Sequence, residues 1–376
     1  MPLPPLLLLL LLGATAAYAT GAWEWVGGNR HLQNSSLARP GGRCCGHSWW
    51  LGNSTTLWIF GGSGYSGRTG AADYLADLWS YDATHNTWAL HGDGVGVSVS
   101  EWPAARYYGT YWPDRSGHMW LWSGFGAGGT LDDMWRLVPP GSAIDLLVNR
   151  PAQWQQVHPV GRRPAARCWA HSWALGETVY VFSGTGADGG MLSDLWAFSS
   201  HSLVWSQLAD YDSTSPVYSG PTARPGAREN GYAMADERQQ ILWLYGGNGY
   251  GADSFGGLDD LWSLAAPTDA TTPLSPAPPL RWEFRGGTNQ TFSPWDQSPP
   301  QLIGKGRGVH GQRGVATAQN VPSAAHAGYM WPHSAGGRLW IMGGEDDQAN
   351  TNGHGIYSGL WSLEPASAEW AWEAGN

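Results

Sequence analysis

From Arg39 onward the chain alternates short runs of β-branched and aromatic residues with clusters of Gly, Pro, Asn and Asp, the pattern of strands separated by turns. The runs recur in a fixed order. The first unit has an opener, Arg39-Pro40-Gly41-Gly42-Arg43, then Leu57-Trp58-Ile59-Phe60-Gly61-Gly62, then Leu75-Ala76-Asp77-Leu78-Trp79, then Thr87-Trp88. The second repeats it as Pro103-Ala104-Ala105-Arg106, Met119-Trp120-Leu121-Trp122-Ser123-Gly124, Leu131-Asp132-Asp133-Met134-Trp135 and Gln153-Trp154. The third has Arg167, Ser183-Gly184, Asp194-Leu195-Trp196 and Trp205, and the fourth Arg228, Gly246-Gly247, Asp260-Leu261-Trp262 and Trp282. The fifth keeps Gly343-Gly344, Leu360-Trp361 and Glu369-Trp370 but lacks the opener Arg and the Asp before Leu360.

Five units therefore occupy about 39–92, 102–158, 163–209, 224–286 and 321–374, with long Pro- and Gly-rich loops at 265–280 and 287–320. Four runs per unit predict a four-stranded antiparallel meander. One such sheet cannot bury both of its faces, and stacking successive sheets around an axis solves this. The fold expected is all-β: a β-propeller of four-stranded antiparallel blades, with five complete repeats across 21–376. Trp23-Glu24-Trp25-Val26-Gly27-Gly28-Asn29 reads as an extra N-terminal outer strand, so six fourth strands face five sets of the first three.

Composition sharpens this picture. The 376 residues include 54 Gly and 25 Pro, a load that would break nearly every helix. The 26 Trp find a cause in the wedge-shaped gaps that widen outward between twisted sheets, which Trp79, Trp135, Trp196, Trp262 and Trp361 are placed to fill.

The strand-ending Gly-Gly with a Trp at fixed distance after it resembles the kelch-repeat family. Within that family Leu-x-Asp-Leu-Trp, a fourth-strand Trp and a Pro-x-x-Arg opener look like the attractin- and muskelin-like kelch propellers. The resemblance implies a kelch-type ring, and such rings usually have six or seven blades closed by pairing the termini. Two expectations follow: a natural ring of at least six blades that this chain leaves short, or a five-blade ring with a surplus N-terminal strand.

Residues 1–19 carry an unbroken Leu6–Leu12 run and an Ala17-Tyr18-Ala19 exit, and are expected to be a cleaved secretory signal, with a noncleaved anchor as the alternative. That run is too short to span a bilayer and no later segment approaches spanning length, so no stable membrane insertion of the mature chain is expected. Sequons at Asn34, Asn53 and Asn289 fit a secreted or luminal glycoprotein. Net charge −10 argues against a nucleic-acid partner, which requires a basic footprint. Three cysteines, Cys44, Cys45 and Cys168, are too few for a disulfide framework, and an odd number cannot all pair within the chain.

The candidate chemistry is sparse. G-x-G-x-x-G occurs at Gly62, Gly124 and Gly184, but each loop runs into a strand rather than a helix, so no dinucleotide site is expected. Glu345-Asp346-Asp347 lacks calcium-loop spacing and reads as a solvated acidic loop. His47 and His171 occupy equivalent positions on different blades, and galactose oxidase builds a copper centre on a kelch propeller. An extracellular carbohydrate oxidase is therefore the alternative function, although no Tyr–Cys partner is identifiable. No catalytic residue, metal or cofactor is assigned.

The opener arginines Arg43, Arg106, Arg167 and Arg228 carry two readings. They form a cationic collar at the channel mouth that binds acidic side chains or anionic sugars, or they tie loops together through carbonyls and Asp77, Asp133, Asp194 and Asp260. The leading functional expectation is a secreted or cell-surface interaction module that binds a protein or glycan partner through loops on one face.

Overall fold

The computed structural model describes residues 39–50, 55–66, 72–139, 152–211, 214–220, 222–252, 254–267, 280–287, 308–323, 328–332, 337–346, 355–356 and 359–375. Residues 1–19, expected to be a signal, Trp23–Asn29, expected to be an outer strand, Asn34, Asn53, Asn289 and most of the two long loops lie outside the described residues.

Among the described residues there are strands and no helix. They form five antiparallel meanders in chain order. Blade one is His47–Trp50, Thr56–Tyr65, Ala72–Asp82 and Thr87–Gly92. Blade two is Thr110–Pro113, Met119–Trp122, Met134–Val138 and Gln153–Val157. Blade three is His171–Leu175, Thr178–Phe182, Asp194–Ser199 and Val204–Asp210. Blade four is Tyr232–Asp236, Ile241–Tyr250, Phe255–Ala265 and Trp282–Gly286. Blade five is Tyr329–Pro332, Leu339–Met342, Leu360–Glu364 and Glu369–Ala374. The five-blade propeller read from the repeat is the observed arrangement, and the first strands of successive blades lie side by side.

The third and fourth strands slip register at Leu78/Trp79, Leu195/Trp196, Leu261/Trp262 and Leu360/Trp361. Blade two, where Met134 replaces the first Leu of that pair, runs through without a shift. A bulge adds local twist, and here it falls on the Trp that fills the gap between sheets.

Strand alternation gives each blade two apolar faces, and four buried clusters join five blades. Trp49, Phe60 and Leu78 of blade one meet Met119, Leu121, Trp135 and Trp154 of blade two. Trp112, Trp120 and Trp122 meet Val181, Trp196 and Trp205 of blade three. Phe182 and Leu195 meet Leu244, Trp262 and Trp282 of blade four, and Trp243 and Tyr245 meet Ile341, Trp361 and Trp370 of blade five. Each wholly buried Trp removes roughly 150–250 Å² from water, on the order of 4–6 kcal/mol.

Among the described residues no such cluster joins blade five to blade one. On blade five Trp331, Trp340, Met342 and Leu360 are half-buried, whereas Trp49, Trp58, Phe60 and Leu78 at the same positions in blade one are buried. Leu57, Ile59 and Trp88 on the opposite side of blade one are likewise half-buried, against buried Met119, Leu121 and Trp154 in blade two.

Candidate interaction face

Each of the first four blades is clamped by its opener arginine. Arg43, Arg106, Arg167 and Arg228 grip Asp77, Asp133, Asp194 and Asp260 through paired bonds, Nη1 at 2.5, 2.5, 2.6 and 2.5 Å and Nη2 at 2.8, 2.7, 2.9 and 2.8 Å. Nη1 also donates to the carbonyl of the residue after the apolar run of the second strand, on Gly61, Ser123, Ser183 or Gly246, at 3.0–3.1 Å. Nε closes on the carbonyl two residues back. The second oxygen of each Asp accepts the indole N–H of the Trp two residues on, at 2.7 Å in all four blades.

Alternation in the third strand puts Asp and Trp on one face, which is why the motif reads Asp-Leu-Trp. Blade five has Ala325 in place of the Arg and Gly359 in place of the Asp, so both partners of the clamp are missing together. Burial pushes the Asp133 and Asp194 carboxyls up, but the bonds and charge of Arg106 and Arg167, with the indole donors, outweigh it and hold both below the ordinary carboxylate value. Arg106, Arg167 and Arg228 are buried with their donors directed into their own blades.

The equivalent histidines join blades. His47 Nε2 accepts the N–H of Gly109 in blade two at 3.0 Å while Nδ1–H meets the Phe60 carbonyl at 3.1 Å. His171 Nε2 accepts the N–H of Gly231 in blade four at 2.9 Å, and Tyr232, at the same repeat position, donates its hydroxyl to Gly343 O in blade five at 2.7 Å. Burial lowers both imidazoles to about 3, with Arg106 and Arg228 adding repulsion. Both rings are held as neutral acceptors of backbone N–H groups. Among the described residues no three His, Cys, Asp or Glu side chains are grouped to hold a metal, and the oxidase alternative finds no support in this geometry.

Two residues past each opener Arg stand Cys45, Tyr108, Trp169 and Asn230, all left-handed at φ 60°, 52°, 56° and 60°. Their backbones form a chain across four blades: Tyr108 N–H to Cys45 O at 3.1 Å, Trp169 N–H to Tyr108 O at 3.2 Å, Asn230 N–H to Trp169 O at 3.0 Å. This belt immediately precedes the first strands of four successive blades, which lie side by side.

An aromatic cluster sits on the belt. Tyr108 lies 5.2 Å from Trp169 and 5.0 Å from Tyr107, Tyr107 stacks on Tyr74 at 5.0 Å, and Phe125 meets Tyr107 edge-on at 5.7 Å. All five rings are half-buried. Burial, then the hydrogen bond that its hydroxyl donates to Tyr74, pushes the Tyr107 phenol to about 12, so it stays protonated at neutral pH. Cys168, one residue after Arg167, is buried and carries a thiol raised to about 12 by burial and by Glu229. Cys44, its counterpart in blade one, is exposed.

Sequence reasoning singled out the arginines and missed these aromatics. The signal that points to them is variability at a fixed repeat position: Cys45, Tyr108, Trp169 and Asn230 differ in chemistry while the backbone does not.

A family model described as the KLHDC2/KLHL20/DRC7 Kelch-repeats domain matches residues 30–224. The chain is 26% identical over 206 residues to the leucine-zipper-like transcriptional regulator 1 homolog of Drosophila melanogaster, covering 52% of this chain and 18% of that protein. It is 24% identical over 239 residues to multiple epidermal growth factor-like domains protein 8 of Mus musculus, covering 62% of this chain and 8% of that protein. The chain thus spans less than a fifth of either relative.

Proposed function

The chain belongs to the kelch-repeat family, and from that premise we propose that it is an extracellular or luminal interaction module whose binding face is the channel mouth. The observation that carries this is the half-buried ring cluster of Tyr74, Tyr107, Tyr108, Phe125 and Trp169, set on a backbone belt and backed by buried Arg–Asp clamps. Rigidly held aromatics contribute large contact area at low entropic cost, the property that makes Tyr and Trp frequent energetic centres of protein interfaces. The partner is a protein inserting an apolar side chain or chain end among these rings. A glycan is the second reading, favoured by the flat faces of Tyr108 and Trp169 at the rim.

Residues 1–19 and the sequons at Asn34, Asn53 and Asn289 support secretion, and the Leu-x-Asp-Leu-Trp and Pro-x-x-Arg motifs support a place near the attractin- and muskelin-like kelch propellers. Expression of the full chain in mammalian cells tests the first point: recovery from the medium with a mass drop on deglycosylation is expected, and retention as an unglycosylated intracellular protein would refute it. Proximity crosslinking from the purified chain tests the face. Partner capture should disappear in Tyr108→Ala/Trp169→Ala while the melting temperature stays within a few degrees, and equal capture by the variant would move the site elsewhere.

A further inference from the structure

The blades differ in the span that joins the second strand to the third. Between the Gly-Gly or Ser-Gly pair and the Leu of the third-strand motif stand 12 residues in blade one and 10 in blade four, against 6 and 7 in blades two and three. In the long spans both strands run on past the pair, from Gly62↔Leu75 to Tyr65↔Ala72 in blade one and from Gly247↔Leu258 to Tyr250↔Phe255 in blade four. Blade two turns after Gly126↔Gly129, and blade three after Thr185–Gly186. Residues 67–71 at one tip and 253 at the other lie outside the described residues. One to three extra residues per arm, at ~3.3 Å each, carry the long hairpins roughly 5–10 Å beyond the turns of blades two and three.

Paired glycines set this difference. The long hairpins follow Gly61-Gly62-Ser63-Gly64-Tyr65 and Gly246-Gly247-Asn248-Gly249-Tyr250, and their openers read Pro40-Gly41 and Pro225-Gly226. The short ones follow Ser-Gly, and their openers read Pro103-Ala104 and Pro164-Ala165. The correlation is steric. Tyr65 N–H binds Gly42 O and Tyr250 N–H binds Ala227 O, both at 2.9 Å, and a Cβ on Gly41 or Gly226 would collide with the Tyr65 or Tyr250 carbonyl. A Cβ on Gly64 or Gly249 would likewise press into Arg43 or Arg228. Each long hairpin thereby forms a three-stranded sheet with its opener, Arg43–Cys44 in blade one and Arg228–Glu229 in blade four.

The aromatic cluster lies between these two sheets. Tyr74 belongs to the blade-one hairpin and stacks on Tyr107 of the blade-two opener, with Phe125 of the blade-two turn edge-on at 6.4 Å. At the other end Trp169 O accepts the Asn230 N–H, and Thr185 of the blade-three turn donates its hydroxyl to Glu229 of the blade-four sheet. Blades two and three carry four of the five rings and have the short turns, so they are the low sector that the long hairpins flank. The blade-four hairpin also presents an aromatic of its own: Phe255 is 41% exposed and meets Tyr250 edge-on at 5.2 Å, beside a turn closed by Gly251 N–H to Ser254 O at 2.9 Å.

We propose that the hairpins of blades one and four are the specificity elements of this face. Between them a protruding loop of a protein partner, apolar at its tip, reaches the rings over blades two and three, and a flat surface does not. Phe255, outside the cluster, lies against the flank of that loop. The inference rests on the reading of the cluster as the binding site and adds the shape of partner that can use it.

The test is selection on the full chain from two phage libraries, one of disulfide-closed peptide loops and one randomised on the flat sheet of a small scaffold domain. The loop library should yield binders with an aromatic or aliphatic tip that Trp169→Ala abolishes, and the flat library should yield none that depend on Trp169. Replacing residues 248–257 by the sequence of residues 185–191 keeps all five rings and leaves a Gly opposite Arg228, as Gly186 stands opposite Arg167. This replacement should weaken the loop binders about tenfold and admit Trp169-dependent binders from the flat library. The melting temperature should stay within a few degrees, and Phe255→Ser, a change at an exposed side chain, should weaken the loop binders by a smaller factor and serves alone if the replacement does not fold. Loop binders that need Trp169 but ignore both changes, or flat-surface binders that need Trp169 in the parent, would overturn the proposal and leave the binding site standing. Binders from both libraries that all ignore Trp169→Ala would overturn the reading of the cluster, and the proposal with it. A glycan bound through Trp169 with equal affinity before and after the replacement would overturn the assignment to a protein loop.

Discussion

Arg228 and Asp260 lie 32 residues apart in sequence and meet in a two-point ion pair with both side chains wholly excluded from solvent. In low dielectric each charge is tolerable only because of the other. Asp260→Ala strands the guanidinium and the Trp262 indole, and should cost about 3–5 kcal/mol of unfolding free energy by denaturant titration. Adding Arg228→Ala should recover part of that loss, because blade five stands with Ala325 and Gly359 at the same two positions. A double variant as unstable as the sum of the single ones would contradict the pairing.

His47 and His171 make stability depend on pH. Their folded values of about 3 lie below the ordinary value of 6.5, so the unfolded chain binds more protons between those limits. The stabilisation is complete above about pH 6.5 and declines as pH falls toward 3. Protonation would set an N–H against the Gly109 or Gly231 N–H that each ring now accepts. His47→Gln/His171→Gln should be less stable than the parent at pH 8 and show a shallower loss between pH 6.5 and 4.5. Parallel curves over that range would exclude these residues as the source.

Ser123 and Ser183, standing where other blades have the first Gly of the pair, act as relays between blades. Ser123 Oγ receives the Arg167 N–H at 2.8 Å and donates to the Leu131 carbonyl at 2.6 Å, and Ser183 does the same between Arg228 and Leu192. In blade one, with Gly61 there, the Arg106 N–H reaches the Leu75 carbonyl directly at 3.2 Å. Ser123 is also left-handed at φ 58°. Ser123→Ala keeps the strained backbone and orphans the Arg167 N–H, a loss of about 1–3 kcal/mol. Ser123→Gly should cost less, because it relieves the backbone and allows the direct bond. The melting temperatures should rank parent, Gly, Ala, and the reverse order of the two variants would exclude the relay.

The thiols of Cys44 and Cys168 should separate by reactivity. Cys44 is exposed, whereas Cys168 is buried with its pKa near 12. Iodoacetamide at pH 8 followed by peptide mass analysis should modify Cys44 within minutes and leave Cys168 unmodified until denaturant is added. Early labelling of Cys168 would show that blade three opens in the native state.

The blades, their strand order and the Arg–Asp pairing are legible in the sequence because the repeat writes each four or five times, and strand alternation turns Asp-Leu-Trp into a shared face. What stays hidden belongs to relations between blades. The belt through Cys45, Tyr108, Trp169 and Asn230 is made by the backbone, and its side chains are free to differ. Ser-Gly reads as a departure from Gly-Gly until the hydroxyl is placed between Arg167 N–H and the Leu131 carbonyl. His47 resembles a ligand by residue type and acts as an acceptor for the next blade's backbone.

Among the described residues four buried seams join five sheets, which gives this stack a polarity that a closed ring of equivalent seams lacks. Blades two, three and four are each held on two sides, whereas blades one and five have one seam each among the described residues. In a stack stabilised by nearest neighbours, loosening starts where a unit has one neighbour and travels inward, so blade three is the last to yield. The aromatic cluster spans this gradient, with Tyr74 on a terminal blade and Trp169 at the entry to the central one. Occupation of the channel mouth would tie the least protected sheet to the most protected, and a bound partner would brace the end of the stack as well as occupy its face.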